Sequence, residues 1–162
     1  MFKTLDMELD IKIKDKEFNG KIREIVSIDA NNLQEDFVNQ PSTYAWFAAL
    51  LEIATAEYES KKFDLAVLRA NLDSEKRAIF SNENKKVTET VIDSAIQVDQ
   101  KFITASQNLI EISRQCGVLK AVVRALEQRS TMLVQLGAMK RQSAFMEDGF
   151  GVDISKVKKA NN

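Results

Sequence analysis

From Val91 to Leu133 a small or apolar residue returns at alternating steps of four and three: Val91, Ala95, Val98, Phe102, Ala105, Leu109, Ile112, Cys116, Leu119, Val123, Leu126, Ser130 and Leu133. A mean step of 3.5 residues lays one continuous stripe along a helix, and no ionised side chain interrupts it over six heptads. A single rod cannot bury its own stripe, so this run demands a partner. An earlier one supplies it: Phe47, Leu51, Ala54, Tyr58, Leu65, Leu68, Leu72 and Ile79 follow the same alternation, broken only at Lys61 and Glu75. The polar stretch SNENKK, 81–86, separates the two. The spacing predicts long helices over about 42–80 and 87–142, folded back on each other as an antiparallel hairpin. Gly117 lies off the stripe and marks a kink or a close helix approach, at about 1 kcal/mol relative to alanine.

The two stripes do not account for all the apolar surface. Ile92, Ile96, Ile103, Ile110, Val118, Val122, Met132 and Leu136 stand outside them. An apolar face that wide asks for a further helix pair, and the expectation is a homo-oligomer.

Ahead of the helices, LDMELDIKIK alternates strictly, with Leu5, Met7, Leu9, Ile11 and Ile13 on one side and Asp6, Glu8, Asp10, Lys12 and Lys14 on the other. This is the pattern of a strand with one buried face. Asn19-Gly20 is a strong two-residue hairpin signal, and pairing around it sets Ile13 opposite Val26 and Ile11 opposite Ile28. Ile22, Ile25 and Val26 also fit helical spacing. Asp29 is a good N-cap for a short helix over 30–39 that carries Leu33 and Phe37 and ends near Pro41. The predicted fold is therefore mainly α: a long, coiled-coil-like antiparallel helical hairpin with a short helix and an N-terminal β-strand or β-hairpin. The arm covers 1–28, the helical domain 29–142, and a flexible tail 143–162, whose two glycines flank Phe150.

Composition narrows the chemistry. The 162 residues hold no histidine, which removes the usual general base and the commonest metal ligand. No GxxxxGK loop is present to cradle phosphates. The acids are scattered along helices with no Gly-rich loop to gather them, so catalysis is not expected and no cofactor or metal is implied. One cysteine, Cys116, cannot form an intramolecular disulfide, and no signal peptide or long apolar run opens the chain. The expected location is the cytoplasm, with no membrane partner.

With 23 Lys+Arg against 24 Asp+Glu the net charge is −1, so an anion-binding surface has to come from clustering. Two clusters stand out. In KKFDLAVLRANLDSEKR, Lys62, Arg69 and Lys76 recur every seven residues at one heptad position, about 10 Å apart along the helix, with Lys61 and Arg77 beside them. Either these cations pair with acids on a facing helix, the usual role of such positions, or they form a ladder for successive phosphates of one nucleic-acid strand. The second cluster, Arg114, Lys120, Arg124 and Arg129, falls in 114–141, where six cations meet one anion, Glu127. A solvated helix exterior explains it as well as a polyanion does. Tyr44 and Trp46 sit with Phe47 at the head of the first long helix and are candidates for base stacking, with core packing as the alternative.

The order of Ile28-Asp29, Leu33-Gln34, Tyr44, Trp46-Phe47 and then LRANLD, Leu68 to Asp73, resembles the UvsY-type recombination mediators of bacteriophages. In that family the last motif carries a basic residue where Arg69 stands and a second two positions on, where this chain has Asn71. The resemblance implies a non-enzymatic, ring-like homo-oligomer in the bacterial host cytoplasm that binds single-stranded DNA. It also implies contacts with a RecA-like recombinase and a single-strand-binding protein. The alternatives are a helical structural or assembly protein of a phage, or a phage inhibitor of a host protein, either acting through protein contacts alone.

Overall fold

The structure, a computed structural model, describes residues 8–82 and 88–149. Two strands, β1 (Glu8–Ile13) and β2 (Lys16–Lys21), precede a five-residue helix α1 (Ile22–Val26), a 50-residue helix α2 (Leu33–Asn82), a short α3 (Glu89–Gln97) and a second 50-residue helix α4 (Gln100–Gly149). At 1.5 Å per residue α2 and α4 are each about 75 Å long. They pack antiparallel: Gln40 reaches the Leu126 carbonyl, Tyr44 reaches Glu127, and Phe37 lies against Gly137. The mainly helical architecture and the long hairpin are those the two stripes predict.

The larger core joins Phe47, Leu50 and Ala54 of α2 to Cys116, Leu119, Val122 and Leu126 of α4, and β1 closes it with Leu9, Ile11 and Ile13. Those three β1 residues are buried while Glu8, Asp10 and Lys12 are exposed, as the strict alternation requires. Leu5 and Met7 lie outside the described residues. Burial pushes the Cys116 thiol pKa up.

The hairpin turns earlier than Asn19-Gly20. Its two-residue loop is Lys14-Asp15, with Lys14 at φ 53°, and the register pairs Ile13 with Lys16 and Ile11 with Phe18. The physical reason is aromatic packing. This register brings the Phe18 ring within 5.6 Å of Trp46 and 5.2 Å of Phe47, centroid to centroid. Gly20 then falls inside β2, where a Cβ would stand only 2.9 Å from Phe18 Cζ, so the glycine lets that ring fold over the strand. Ile22 to Val26, one arm of the expected longer hairpin, is helical instead and directs Ile22 and Ile25 onto the larger core.

Two helix boundaries also differ from expectation. The short helix predicted to end near Pro41 and the long helix after it are one, α2, with Pro41 in its ninth position. Proline deletes the bond from position 41 to the Phe37 carbonyl, yet Leu33, Gln40 and Phe47 keep a buried seven-residue rhythm across it. Tertiary contact on that face outweighs the local preference to break. Asp29 does not cap the helix directly. Its carboxylate accepts from the Asn31 N–H and its own N–H donates to Asp36, which shapes the turn that leads into Leu33.

Conversely, the second long helix is two. It breaks at Val98-Asp99, where the Asp99 carboxylate accepts from the Lys101 N–H and from Lys76, making Asp99 the N-cap of α4. The break rotates α3 so that Ile92 and Ile96, not the stripe residues Val91 and Val98, face α2. Val98 is 75 % exposed and Ile92 is fully buried. Ile92, Ile96 and Leu72 form a second, smaller core with Leu68, Phe80 and Phe102 around it. Residues 143–149, expected in the tail, continue α4, and the rest of the tail lies outside the described residues.

Candidate nucleic-acid interface

The comb on α2 meets acids. Arg69 bonds Asp93 at 2.9 Å, Lys76 bonds Asp99 at 2.8 Å, and Arg77 bridges Asp73 and Glu89 at 2.7 and 2.6 Å. Glu89, Asp93 and Asp99 are supplied by α3 and the joint after it, so the seven-residue spacing of the cations is matched by carboxylates on the facing segment. The Lys76–Asp99 pair is mostly sheltered and the others are half exposed. The bond from Lys76, aided by the Lys101 N–H, holds the Asp99 carboxyl below the usual range, and Arg77 does the same for Asp73. In turn, the bonds to Asp73 and Glu89 push the Arg77 pKa up, and Asp99 pushes up that of Lys76. These cations are half of a zipper that fastens α3 to α2. The signal was in the sequence: acids at 89, 93 and 99 could meet cations only if the second rod folded back at that level.

The second cluster divides. Arg114 forks onto Glu111 at 2.7 and 2.9 Å, and with Gln115 it lowers the Glu111 pKa to about 2. Arg129, expected on the exposed face, is buried: its guanidinium donates to the Ser27 carbonyl at 2.9 Å, to Gln40 and to Asp36. It ties the loop before α2, α2 itself and α4 together, so it is part of the core and not presented to solvent. Gln40, which the sequence did not single out, completes that buried network through the Leu126 carbonyl.

Lys61, Lys120 and Arg124 remain exposed with no acidic partner among the described residues. Lys62 lies 3.6 Å from Glu59 and its ammonium stands 5.9 Å from the centre of the Tyr58 ring. Lys120 is the shared border of two hollows. One, of about 360 Å³, runs between the helices and is lined by Thr55, Tyr58, Glu59, Ser113, Cys116, Gly117 and Lys120. The other, of about 400 Å³, continues along α4 past Ala121 and Arg124 to Gln128. Ser113, Gly117, Lys120, Arg124 and Gln128 follow steps of three and four and form one row on α4. Small side chains at 117, 121 and 125 keep the row shallow between its cations. The two hollows meet at Lys120, so Tyr58, Lys120 and Arg124 line one trough across the hairpin, with the Glu59 carboxylate, which Lys62 pairs, also in its lining.

Neither aromatic singled out in sequence is free. The Tyr44 hydroxyl donates to Glu127 at 3.2 Å, and the Glu127 carboxylate raises the tyrosine pKa. Trp46 is 43 % exposed but is gripped edge-on by Phe47 at 4.7 Å and tilted against Phe18. Tyr58, overlooked because it counts as a stripe residue, is the aromatic that borders the cationic trough. No helix among the described residues is long and apolar enough to cross a membrane. Comparison with protein-family models, with curated proteins and with solved structures finds no match to this chain.

Proposed function

We propose that this chain is a non-enzymatic recombination mediator that binds single-stranded DNA along the α2–α4 trough and helps load a RecA-like recombinase onto strands covered by single-strand-binding protein. The observation that carries this reading is the trough itself: Lys120 and Arg124, neither ion-paired among the described residues, line it with Tyr58 and leave a shallow path for a phosphate backbone, while Lys62 neutralises the Glu59 carboxylate at its end. Two or three cations bind one strand weakly, and several copies multiply the effect through avidity of roughly 10²- to 10⁴-fold. Subunits associate through the apolar surface midway along the hairpin, where Phe63 and Ile110 are 69 % and 68 % exposed. The ordered motifs from Ile28 to Asp73 support the same reading. The paired comb has a structural duty, so the weight of strand binding falls on Lys120 and Arg124.

Fluorescence anisotropy of a labelled oligonucleotide against salt tests this. For single strands log affinity falls with log salt by roughly 0.7 per neutralised phosphate. Lys120→Ala with Arg124→Ala therefore lowers that slope by roughly 1.4 if each cation meets one phosphate. Binding that is absent, or that the double substitution leaves unchanged, removes the proposal.

A second reading is favoured by one observation: six of the nine cations singled out in the sequence, Lys62, Arg69, Lys76, Arg77, Arg114 and Arg129, are ion-paired within the chain. A helical assembly protein that acts only through protein contacts would spend its cations in this way. It requires no salt-dependent oligonucleotide binding at all, so the same titration separates the two.

A further inference from the structure

Gly117 stands in the interior of α4, where glycine is the least favoured residue after proline. Gly20 and Gly137 have a reason within the chain: a Cβ at the first would stand 2.9 Å from Phe18 Cζ, and one at the second 3.0 Å from Phe37 Cζ. At Gly117 a Cβ would meet no atom within 4 Å. The sequence marks this position as a kink or a close helix approach, yet α4 runs through it unbroken and no second helix comes near enough to require it. The room left by the missing side chain is unused by the protein itself.

That room opens into the hollow of about 360 Å³ between the helices. Tyr58 lines it from α2, and Ser113, Gly117 and Lys120 line it from α4 in one row, with Lys120 one turn beyond the glycine. Glu59, also in the lining, is paired with Lys62. An aromatic ring, a bare stretch of helix backbone and an ammonium that is not ion-paired among the described residues are together complementary to one nucleotide. The ring suits the flat face of a base and the ammonium its phosphate. We propose that a base of the bound strand inserts between the Tyr58 ring and the α4 backbone at Gly117, with its phosphate at Lys120. This slot rests on the single-strand reading of the trough and names the contact made there. Thickness decides the role of the glycine. A stacked base occupies about 3.4 Å, and a methyl group at 117 would intrude by about 1.5 Å, close to half of that. Every base has a flat face, so such a slot accepts any sequence.

The test is Gly117→Ala in the full chain, read by urea unfolding and by fluorescence anisotropy at low salt. Two oligonucleotides of equal length are used, one of deoxythymidine and one of abasic residues that keep the phosphates and lack the bases. Alanine is the better helix former and its methyl meets nothing in the chain, so the urea midpoint rises. Affinity for the deoxythymidine strand falls at least about fivefold, the lower end of what one base stack contributes. Its slope against salt is unchanged, since no phosphate contact is removed. Affinity for the abasic strand is the same with glycine or alanine. Equal losses on both strands overturn the proposal, because a phosphate would then lie over Gly117. So does an unchanged affinity for the deoxythymidine strand, or a urea midpoint that falls. If Lys120→Ala with Arg124→Ala weakens binding while Gly117→Ala does not, the base slot alone is lost; if the unsubstituted protein binds neither strand, strand binding and slot fall together.

Discussion

Arg129 donates to three acceptors on two segments, Ser27 in the loop before α2 and Asp36 and Gln40 in α2, from a site 8 % exposed. Replacing it with alanine leaves the Asp36 carboxylate sheltered and uncompensated, which typically costs about 3–5 kcal/mol. Urea unfolding of Arg129→Ala should show that loss, and Arg129→Ala with Asp36→Ala should lose clearly less than the sum of the singles, since each removes the same interaction. Acid should act on other residues. Asp73, Asp99 and Glu111 hold their protons less tightly folded than unfolded, Glu111 down to about 2. The stability they add is complete above the unfolded carboxyl range near 4 and drains as pH falls through the folded values. The urea midpoint should therefore fall from about pH 5 downward, and Glu111→Gln should fall less steeply. From the sequence alone Arg129 looks like any surface cation, because nothing local distinguishes an arginine that will be buried from one that will not.

At the scale of elements, α3 is a clasp. It is nine residues long, too short to be stable alone, and holds to α2 by Ile92 and Ile96 and by the row of ion pairs to Arg69, Lys76 and Arg77. Exposed pairs contribute little each, so the apolar contact should dominate. Ile92→Ala should cost about 2–5 kcal/mol locally. Hydrogen exchange should then show protection lost in α3 and in α2 beyond Leu68, while β1 and the amides around Leu119 keep theirs, because the two cores share no residue. Loss of protection along the entire hairpin would mean that the two cores unfold as one. The break that makes α3 a separate element was legible only in part. Asp99 is a good N-cap residue, but the stripe runs through Val98 without interruption, and periodicity gave no reason to stop there.

For the whole molecule, what matters is the gap between the two cores. No residue of α2 between Ala54 and Leu72 is fully buried, and none of α4 between Gln100 and Gln115. Over that length the hairpin is two helices thick, with Phe63, Val67 and Ile110 turned to solvent at 69 %, 43 % and 68 %. Apolar residues grouped at one level of a thin rod are where a second copy has most to gain. Under the proposed association, Phe63→Glu with Ile110→Lys should lower the particle mass in mass photometry while circular dichroism keeps the helix content. An unchanged mass would move the interface elsewhere.

The sequence by itself determined that the chain is mainly helical, that two long rods lie side by side, and which face of β1 is buried, because each follows from a period of about 3.5 or 2 that neighbouring residues impose on one another. Only the tertiary structure decided that the hairpin turns at Lys14-Asp15, that α2 runs through Pro41, that the second rod breaks at Asp99, and which cations are engaged. Those outcomes depend on which face meets which across 23 to 93 residues of chain, as in Lys76 with Asp99 and Arg129 with Asp36. A charge carries no local mark of the partner it will find. The trough of Tyr58, Lys120 and Arg124 exists for the same reason: folding brings opposite charges to Lys62, Arg69, Lys76, Arg77, Arg114 and Arg129 and leaves Lys120 and Arg124 open.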